Sequence, residues 1–232
     1  MHSTKLTQQH IEHLYLFTRQ HYVFHFDLQT ELVDHMANAI ETTWKTSPGI
    51  TFEEARDKSF KTFGVFGFMD VVEKRQKAMS KRYMKLLWSF AKNWFSFPEV
   101  LKTVVIFIST YVLFSLNFGK QVAIVAFIIL FASIFFKGFK FVKYIKNKEQ
   151  SKEKLWLLED LIFRNASANA MLQITFVLNM YNTIENFWHF KYAAFIAALL
   201  FTVLAIYSYV SVVVLPKNAE MLLNKIYPEY SL

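Results

Sequence analysis

Polar side chains recur at spacings of three and four residues between Glu31 and Glu41. On a helix this spacing places them on one face, which carries Glu31, Asp34, His35, Asn38 and Glu41. Such a face can be solvated or paired within its domain, for example through Glu31 and His35; it can also bind a protein partner or a divalent cation. The solvated face is the simplest interpretation. If the chain has a protein partner, these five residues are the predicted contact surface.

Two histidine pairs also have the spacing of metal ligands on a helix, His10 with His13 and His21 with His25. Zinc requires ligands that converge and a second shell that fixes them, and nothing in the sequence forces that convergence. The chain has no cysteine, which excludes disulfides and thiolate metal sites. We therefore predict no metal and no cofactor.

Catalytic motifs are missing from the sequence as well. It contains no phosphate-binding loop, no dinucleotide fingerprint, no nucleophile elbow and no zinc-protease motif, and only five glycines are available for such loops. We predict that the chain is not an enzyme.

Amide side chains follow one side of an otherwise apolar stretch near residues 167 to 187. Asn169, Gln173, Asn179 and Asn182 are its central members. At membrane depth, such groups usually form hydrogen bonds between helices, which predicts packing or oligomer contacts. The alternatives are contact with a partner protein and a permeation path. A permeation path would suit a small transporter or channel component, although transporters more often place ionisable groups along their path.

A basic, aromatic stretch precedes the first long apolar run. Basic residues with tryptophans beside a membrane span are typical of a segment that lies on an anionic lipid leaflet. The predicted lipid-facing residues are Lys74, Arg75, Lys77, Lys81, Arg82, Lys85, Trp88 and Trp94.

Composition and charge support membrane insertion. Hydrophobic residues make up 54% of the chain and charged residues only 19%, against roughly 45–50% and 25% in soluble domains. The net charge of +8 is not spread evenly, because residues 1–73 contain ten acidic and six basic side chains. The N-terminal region therefore lacks the basic face of a nucleic-acid-binding domain, and we predict no direct nucleic-acid binding.

The hydropathy pattern predicts an all-α protein, in which a small cytosolic helical domain precedes a four-helix transmembrane domain. Lysines flank the apolar runs, so the positive-inside rule predicts a multi-pass protein of the bacterial inner membrane with both termini cytosolic. The start of the chain has no apolar core, which predicts no cleavable signal. The predicted parts are a helical domain (1–80), a basic amphipathic juxtamembrane helix (81–97), a first transmembrane hairpin (98–137), a basic cytosolic loop with an interfacial helix (138–164), a second hairpin (165–215) and a cytosolic tail (216–232).

Residues 28–79 resemble the HAAS-type helical domain. The similarity rests on Glu31-Leu32-Val33-Asp34-His35-Met36, on the capping box Thr51-Phe52-Glu53-Glu54 followed by Ala55, and on Phe63-Gly64. The family occurs in small bacterial membrane proteins that are often associated with PadR-type regulators, and the chain looks most like four-span versions from Bacteroidetes-type bacteria. The resemblance implies a regulatory or interaction module without catalytic residues.

These observations lead to one functional expectation. The chain is predicted to be a non-enzymatic inner-membrane adaptor or regulator whose cytosolic domain binds a protein, and which contacts anionic lipid and could form homo-oligomers. The alternatives are a transporter or channel component that uses the polar third span, and a structural subunit of a larger membrane complex.

Overall fold

A computed structural model of the chain describes residues 5–151, 153–168 and 187–231. All regular secondary structure in these ranges is helical, which confirms the predicted all-α class. The chain divides into two compact units. The first unit comprises Met1–Lys81 and Lys152–Leu157, and the second comprises Arg82–Ser151 and Leu158–Leu232.

The first unit contains α1 (Gln8–Gln20), α2 (Phe26–Thr46), α3 (Phe52–Lys61) and the beginning of α4 (Met69–Lys92). Two of these helices begin with the capping arrangements that their sequences predict. Thr7 caps α1, and Thr51 with Glu54 forms a capping box at α3. Because each cap satisfies backbone N–H groups that have no partner inside the helix, it fixes where the helix begins.

The core of the first unit forms where α2 packs against α1 and α3. The stripe predicted on α2 faces inward, and Leu32, Met36 and Ile40 are almost completely buried. Leu14 from α1 and Ala55 from α3 are buried as well. Burial of apolar surface at helical spacing is the main source of stability for these short helices.

A short segment from much later in the chain, residues 153–157, also belongs to the first unit. The N–H of Phe26 donates to the carbonyl oxygen of Leu155 over 2.8 Å, and the N–H of Leu157 donates to Oδ1 of Asp27 over 3.1 Å. The ring of Trp156 is buried and lies edge-on to Phe26, with 5.2 Å between ring centroids. The sequence predicts Asp27 as the N-cap of α2, since aspartate is a preferred residue at that position. This prediction is wrong: the N-cap is His25, and Asp27 lies in the first turn of the helix.

The second unit contains the end of α4, a 3₁₀ turn (Asn93–Phe95), α5 (Glu99–Phe114), α6 (Gly119–Gln150), nearly all of α7 (157–168) and α8 (Ala193–Tyr209). A π-helical turn (Val210–Val214) leads into the short helices α9 (Leu215–Lys217) and α10 (Ala219–Ile226), and Pro228–Ser231 form a last 3₁₀ turn. Helices α5, α6 and α8 pack against one another.

Small side chains occupy the centre of this packing. One buried cluster joins Phe114 of α5, Ala123 of α6, and Ala197 and Ala198 of α8. Alanines at helix contacts let backbones approach closely, as is common where apolar helices associate.

Two predicted boundaries and one predicted exposure differ from the structure. Helix α5 ends at Phe114 and has 16 residues, whereas the first apolar run was expected to continue to residue 117. Helix α6 continues to Gln150 through the basic segment predicted as a loop, because lysine favours a helix as much as most residues do. The predicted surface helix after residue 155 is largely buried, with Leu158 and Ile162 fully enclosed.

Two helices in the described ranges are long and apolar enough to cross a membrane, Gly119–Gln150 and Ala193–Lys217. A third candidate is a broken span made of two segments, Met69–Phe95 and Glu99–Phe114. These segments meet at a bend of 78°. Large apolar side chains point outward along these helices: Val105, Ile108 and Val112 on α5, Ile129 and Phe136 on α6, and Leu200 and Val203 on α8. This outward apolar surface is compatible with a membrane protein.

Candidate functional site

The polar face of α2 is only partly available for a partner. Glu31 forms an ion pair with Arg75 rather than with His35, and Oε1 of Glu41 accepts a hydrogen bond from the N–H of Leu6 over 3.1 Å. Asp34, His35 and Asn38 are exposed. The five predicted residues therefore separate into two that have partners within the first unit, Glu31 and Glu41, and three that are exposed.

An apolar turn lies next to this face. The ring of His35 lies edge-on to Phe63, with 5.2 Å between centroids. Phe63 is followed by a turn between two glycines with positive φ, Gly64 (+82°) and Gly67 (+55°), a conformation that glycine adopts without strain. The two residues between them, Val65 and Phe66, are 98% and 70% exposed.

Val65 and Phe66 are not among the residues that the sequence predicts for a contact surface. The run Gly64-Val65-Phe66-Gly67 does indicate their exposure. Glycines on both sides predict a turn, and two large apolar residues in a turn have no helix face on which to be buried. Met69, in the first turn of α4, is exposed as well and extends the apolar surface.

Three of the four histidines with metal-ligand spacing, His10, His13 and His21, contact aromatic rings. His10 stacks on Phe52 at 4.4 Å between centroids, and Nδ1 of His10 accepts the Thr7 N–H in the cap of α1. Nδ1 of His21 lies 2.8 Å from the carbonyl oxygen of Phe17. In the part of the chain that the structure describes, no group of three histidine, aspartate or glutamate side chains could hold a metal ion.

The basic, aromatic stretch is divided by its contacts. Arg75 pairs with Glu31, and Lys77 pairs with Glu73 at 2.6 Å, an ion pair that lowers the pKa of Glu73. Trp94 is half-buried and packs edge-on to Tyr209 within the second unit. The exposed members of the predicted lipid-facing set are Lys74, Lys81, Arg82, Lys85 and Trp88, besides the paired Arg75 and Lys77.

A charged cluster centred on the buried carboxylates of Glu159 and Asp160 joins α6 and α7 in the second unit. The spacing of four residues between Asp160 and Arg164 predicts only its local pair. Nζ of Lys148 lies 2.6 and 2.8 Å from the two carboxylate oxygens of Glu159, and the Tyr144 hydroxyl donates to the same carboxylate over 2.8 Å. Beside it, the guanidinium of Arg164 bonds to Asp160, and this bond raises the pKa of Arg164.

This charged cluster has a structural explanation. A buried ion pair with each oxygen occupied fixes the register of two helices, since any slip would leave a charge unpaired in an apolar interior. Within the described residues, both carboxylates of the cluster are paired with cations, Glu159 with Lys148 and Asp160 with Arg164.

The second unit also contains a cavity of about 290 Å³ between α5, α6 and α8. Its walls are mainly apolar, and three of the residues that line it, Ser133, Lys137 and Tyr209, are exposed. Nothing in the hydropathy pattern distinguished these positions, because the residues come from helices far apart in sequence.

The amides of the predicted third span, Asn169, Gln173, Asn179 and Asn182, lie outside the described residues. Their predicted role in packing therefore stays a prediction.

Comparison with known proteins identifies no relative. The chain matches no family profile, no curated protein and no solved structure.

Proposed function

We propose that the chain is a non-enzymatic, membrane-anchored adaptor. In this proposal the apolar helices of the second unit are inserted in a bacterial cytoplasmic membrane, and the first unit is a HAAS-type module that binds a protein partner. The proposal combines the family resemblance of residues 28–79 with the division of the chain into a helical unit with its own core and a unit with outward apolar helices.

The contact between His35 and Phe63 is the observation that carries the partner-binding proposal. It joins the exposed polar face of α2 to the turn that exposes Val65 and Phe66. Protein interfaces commonly combine an apolar centre with a polar rim. Single exposed apolar residues are common on protein surfaces. Val65 and Phe66, however, are adjacent in a turn between two glycines and lie beside a polar face. This combination has the composition of a contact surface.

The proposed contact surface differs from the sequence-based one. It retains Asp34, His35 and Asn38 and adds Val65 and Phe66. Glu31 and Glu41 act within the first unit, through the ion pair to Arg75 and the hydrogen bond to Leu6.

For the membrane, we propose four spans with both termini in the cytosol. The positive-inside rule supports this orientation, because lysines are dense on α4 and at the end of α6, whereas Lys120, at the start of α6, is the single basic residue between Lys102 and Lys137. The exposed basic residues of α4 would then face the anionic leaflet, where each cation contributes about 1 kcal/mol.

Single cysteines test this orientation well, since the natural chain has none. A maleimide that cannot cross the membrane is added to intact cells that express Asn117→Cys or Ser151→Cys. We expect Asn117→Cys to react in intact cells and Ser151→Cys to react only after permeabilisation. Equal labelling of both variants in intact cells contradicts the topology.

Partner binding is tested by photo-crosslinking of the full chain in its native cell. A photoreactive residue at position 66 should give a discrete adduct with one protein identified by mass spectrometry. Asp34→Lys should reduce the yield of that adduct by about tenfold, and Glu12→Lys, at an exposed position on α1, should leave it unchanged. An adduct that is indifferent to Asp34→Lys, or equally strong from position 12, excludes this surface.

A further inference from the structure

We propose that the cavity in the second unit binds one acyl chain of an anionic phospholipid, and that Lys137 pairs with the phosphate of its headgroup. This proposal depends on the membrane insertion proposed above but not on the protein partner. It is argued from the walls of the cavity, from its exposed lining residues, and from Lys137, the one cation among the lining residues that the structure describes.

The walls suit a hydrocarbon chain. The residues that surround the space are aliphatic: Ile106 of α5, Leu130 and Ile134 of α6, Ile206 of α8, and Val212 of the π-helical turn. A volume of about 290 Å³ lies at the lower limit of typical ligand cavities. Polar groups along the walls are few, so a soluble polar metabolite would lose its hydration without gaining enough hydrogen bonds.

The exposed lining residues, which we take as the rim of the cavity, are of types found at a membrane interface. Lys137, Ser133 and Tyr209 line it and are exposed, and the Tyr209 ring lies edge-on to Trp94 at 5.5 Å between centroids. Tyrosine and tryptophan are enriched where hydrocarbon meets headgroups, and lysine extends its charge to the same level. A lipid can therefore enter sideways without leaving the bilayer.

Lys137 supplies charge complementarity for the headgroup. It has no ion pair or hydrogen bond to any residue within the described ranges, although it lines a largely apolar space. Leu130 lies seven residues earlier on the same helix, which places it about 10 Å deeper. Along α6 the cavity thus has a cation at one level and an apolar wall at a deeper one, which is the order of charge and hydrocarbon in an anionic lipid.

The test uses the full chain, purified in mild detergent after exposure to vesicles that contain equal amounts of phosphatidylglycerol and phosphatidylcholine. Native mass spectrometry then counts the lipids that remain bound. We expect one phosphatidylglycerol to be retained in preference to phosphatidylcholine. Lys137→Gln should lower that preference about fivefold, the effect of one cation near an anionic surface. Lys140→Gln, which removes an exposed lysine of α6 that does not line the cavity, should leave it unchanged.

A second variant tests the apolar part of the site. Ala205 lines the cavity, and Ala205→Phe should fill it and abolish retention of either lipid while the purified chain keeps its helical circular-dichroism spectrum. If Ala205→Phe does not fold, photoreactive acyl chains replace it, and crosslinks on Leu130 or Ile206 are expected.

Several outcomes overturn the proposal: retention of no lipid or of both lipids equally, equal effects of Lys137→Gln and Lys140→Gln, crosslinks confined to other residues, or a retained mass that is not a phospholipid. Because cysteine labelling reports membrane topology separately, failure of the lipid site and failure of membrane insertion are distinguishable.

Discussion

Lys148 and Glu159 form a bidentate ion pair between α6 and α7, with the side chains 12% and 1% exposed. Removal of one partner from a buried pair leaves an uncompensated charge, which typically costs about 3–5 kcal/mol. We therefore expect Lys148→Met to lower the melting temperature of the detergent-purified chain strongly. Lys146→Met, at an exposed position on the same helix, should change it little.

The double variant separates lost attraction from the penalty of an unpaired charge. Lys148→Met combined with Glu159→Gln should be more stable than Lys148→Met alone, because the buried carboxylate is then neutral. If the double variant is less stable than either single variant, the pair contributes independently of charge and this explanation fails.

A second prediction concerns the segment 153–157 of the first unit. Asp27→Ala removes the acceptor for the N–H of Leu157, and loss of a side-chain acceptor at the first residue of a helix costs about 0.5–2 kcal/mol. We expect hydrogen–deuterium exchange of the amides near Leu157 to become roughly 2- to 30-fold faster by local opening. Asp27→Asn keeps an oxygen acceptor and should have a smaller effect. Unchanged exchange in Asp27→Ala contradicts a role for this bond.

These elements show which contacts a sequence can predict. The Thr51–Glu54 capping box was predictable because its whole signal lies within four consecutive residues. The bond from Leu157 to Asp27 was not, since it joins residues 130 positions apart. No local pattern indicates such a pairing.

The end of α6 shows a different limit. Hydropathy located the change from apolar to basic residues near Lys137, but charge determines where a helix meets water and not where it ends. Lysine is a good helix former, so α6 continues to Gln150. The candidate sites show the same division. The sequence predicted the polar side of α2. It did not predict the contact between Phe63 and His35 or the cavity near Lys137, because both depend on tertiary packing.

A third prediction tests the cap of α3. The Thr51 hydroxyl accepts the N–H of Glu54 over 3.2 Å, and Thr51→Ala should destabilise the helix by about 1 kcal/mol. Exchange of the amides in the first turn of α3 should accelerate by roughly fivefold. Thr42→Ala, which removes a hydroxyl bonded to the carbonyl oxygen of Asn38 on the exposed side of α2, is the matched control. Equal effects in the two helices would mean that the cap does not fix the start of α3.

The last prediction concerns the turn between α5 and α6. The N–H of Gly119 donates to the carbonyl oxygen of Leu116 over 2.8 Å, and a Cβ at position 119 would overlap the backbone carbonyl of Phe114. Backbone atoms cannot rotate away as a side chain can, so Gly119→Ala must shift the end of α5 relative to α6. Phe114 and Ala123 belong to the same buried cluster, and the shift would disturb their packing.

We expect Gly119→Ala to cost at least about 1–3 kcal/mol, the usual cost of overpacking, and to lower the melting temperature and the yield of folded chain. Ser115→Ala is the matched control, because Ser115 lies in the same turn and its exposed hydroxyl only donates to the carbonyl oxygen of Tyr111. Its effect should stay within about 0.5 kcal/mol. A Gly119→Ala chain as stable as the Ser115→Ala chain would show that the two helices do not approach as closely as described.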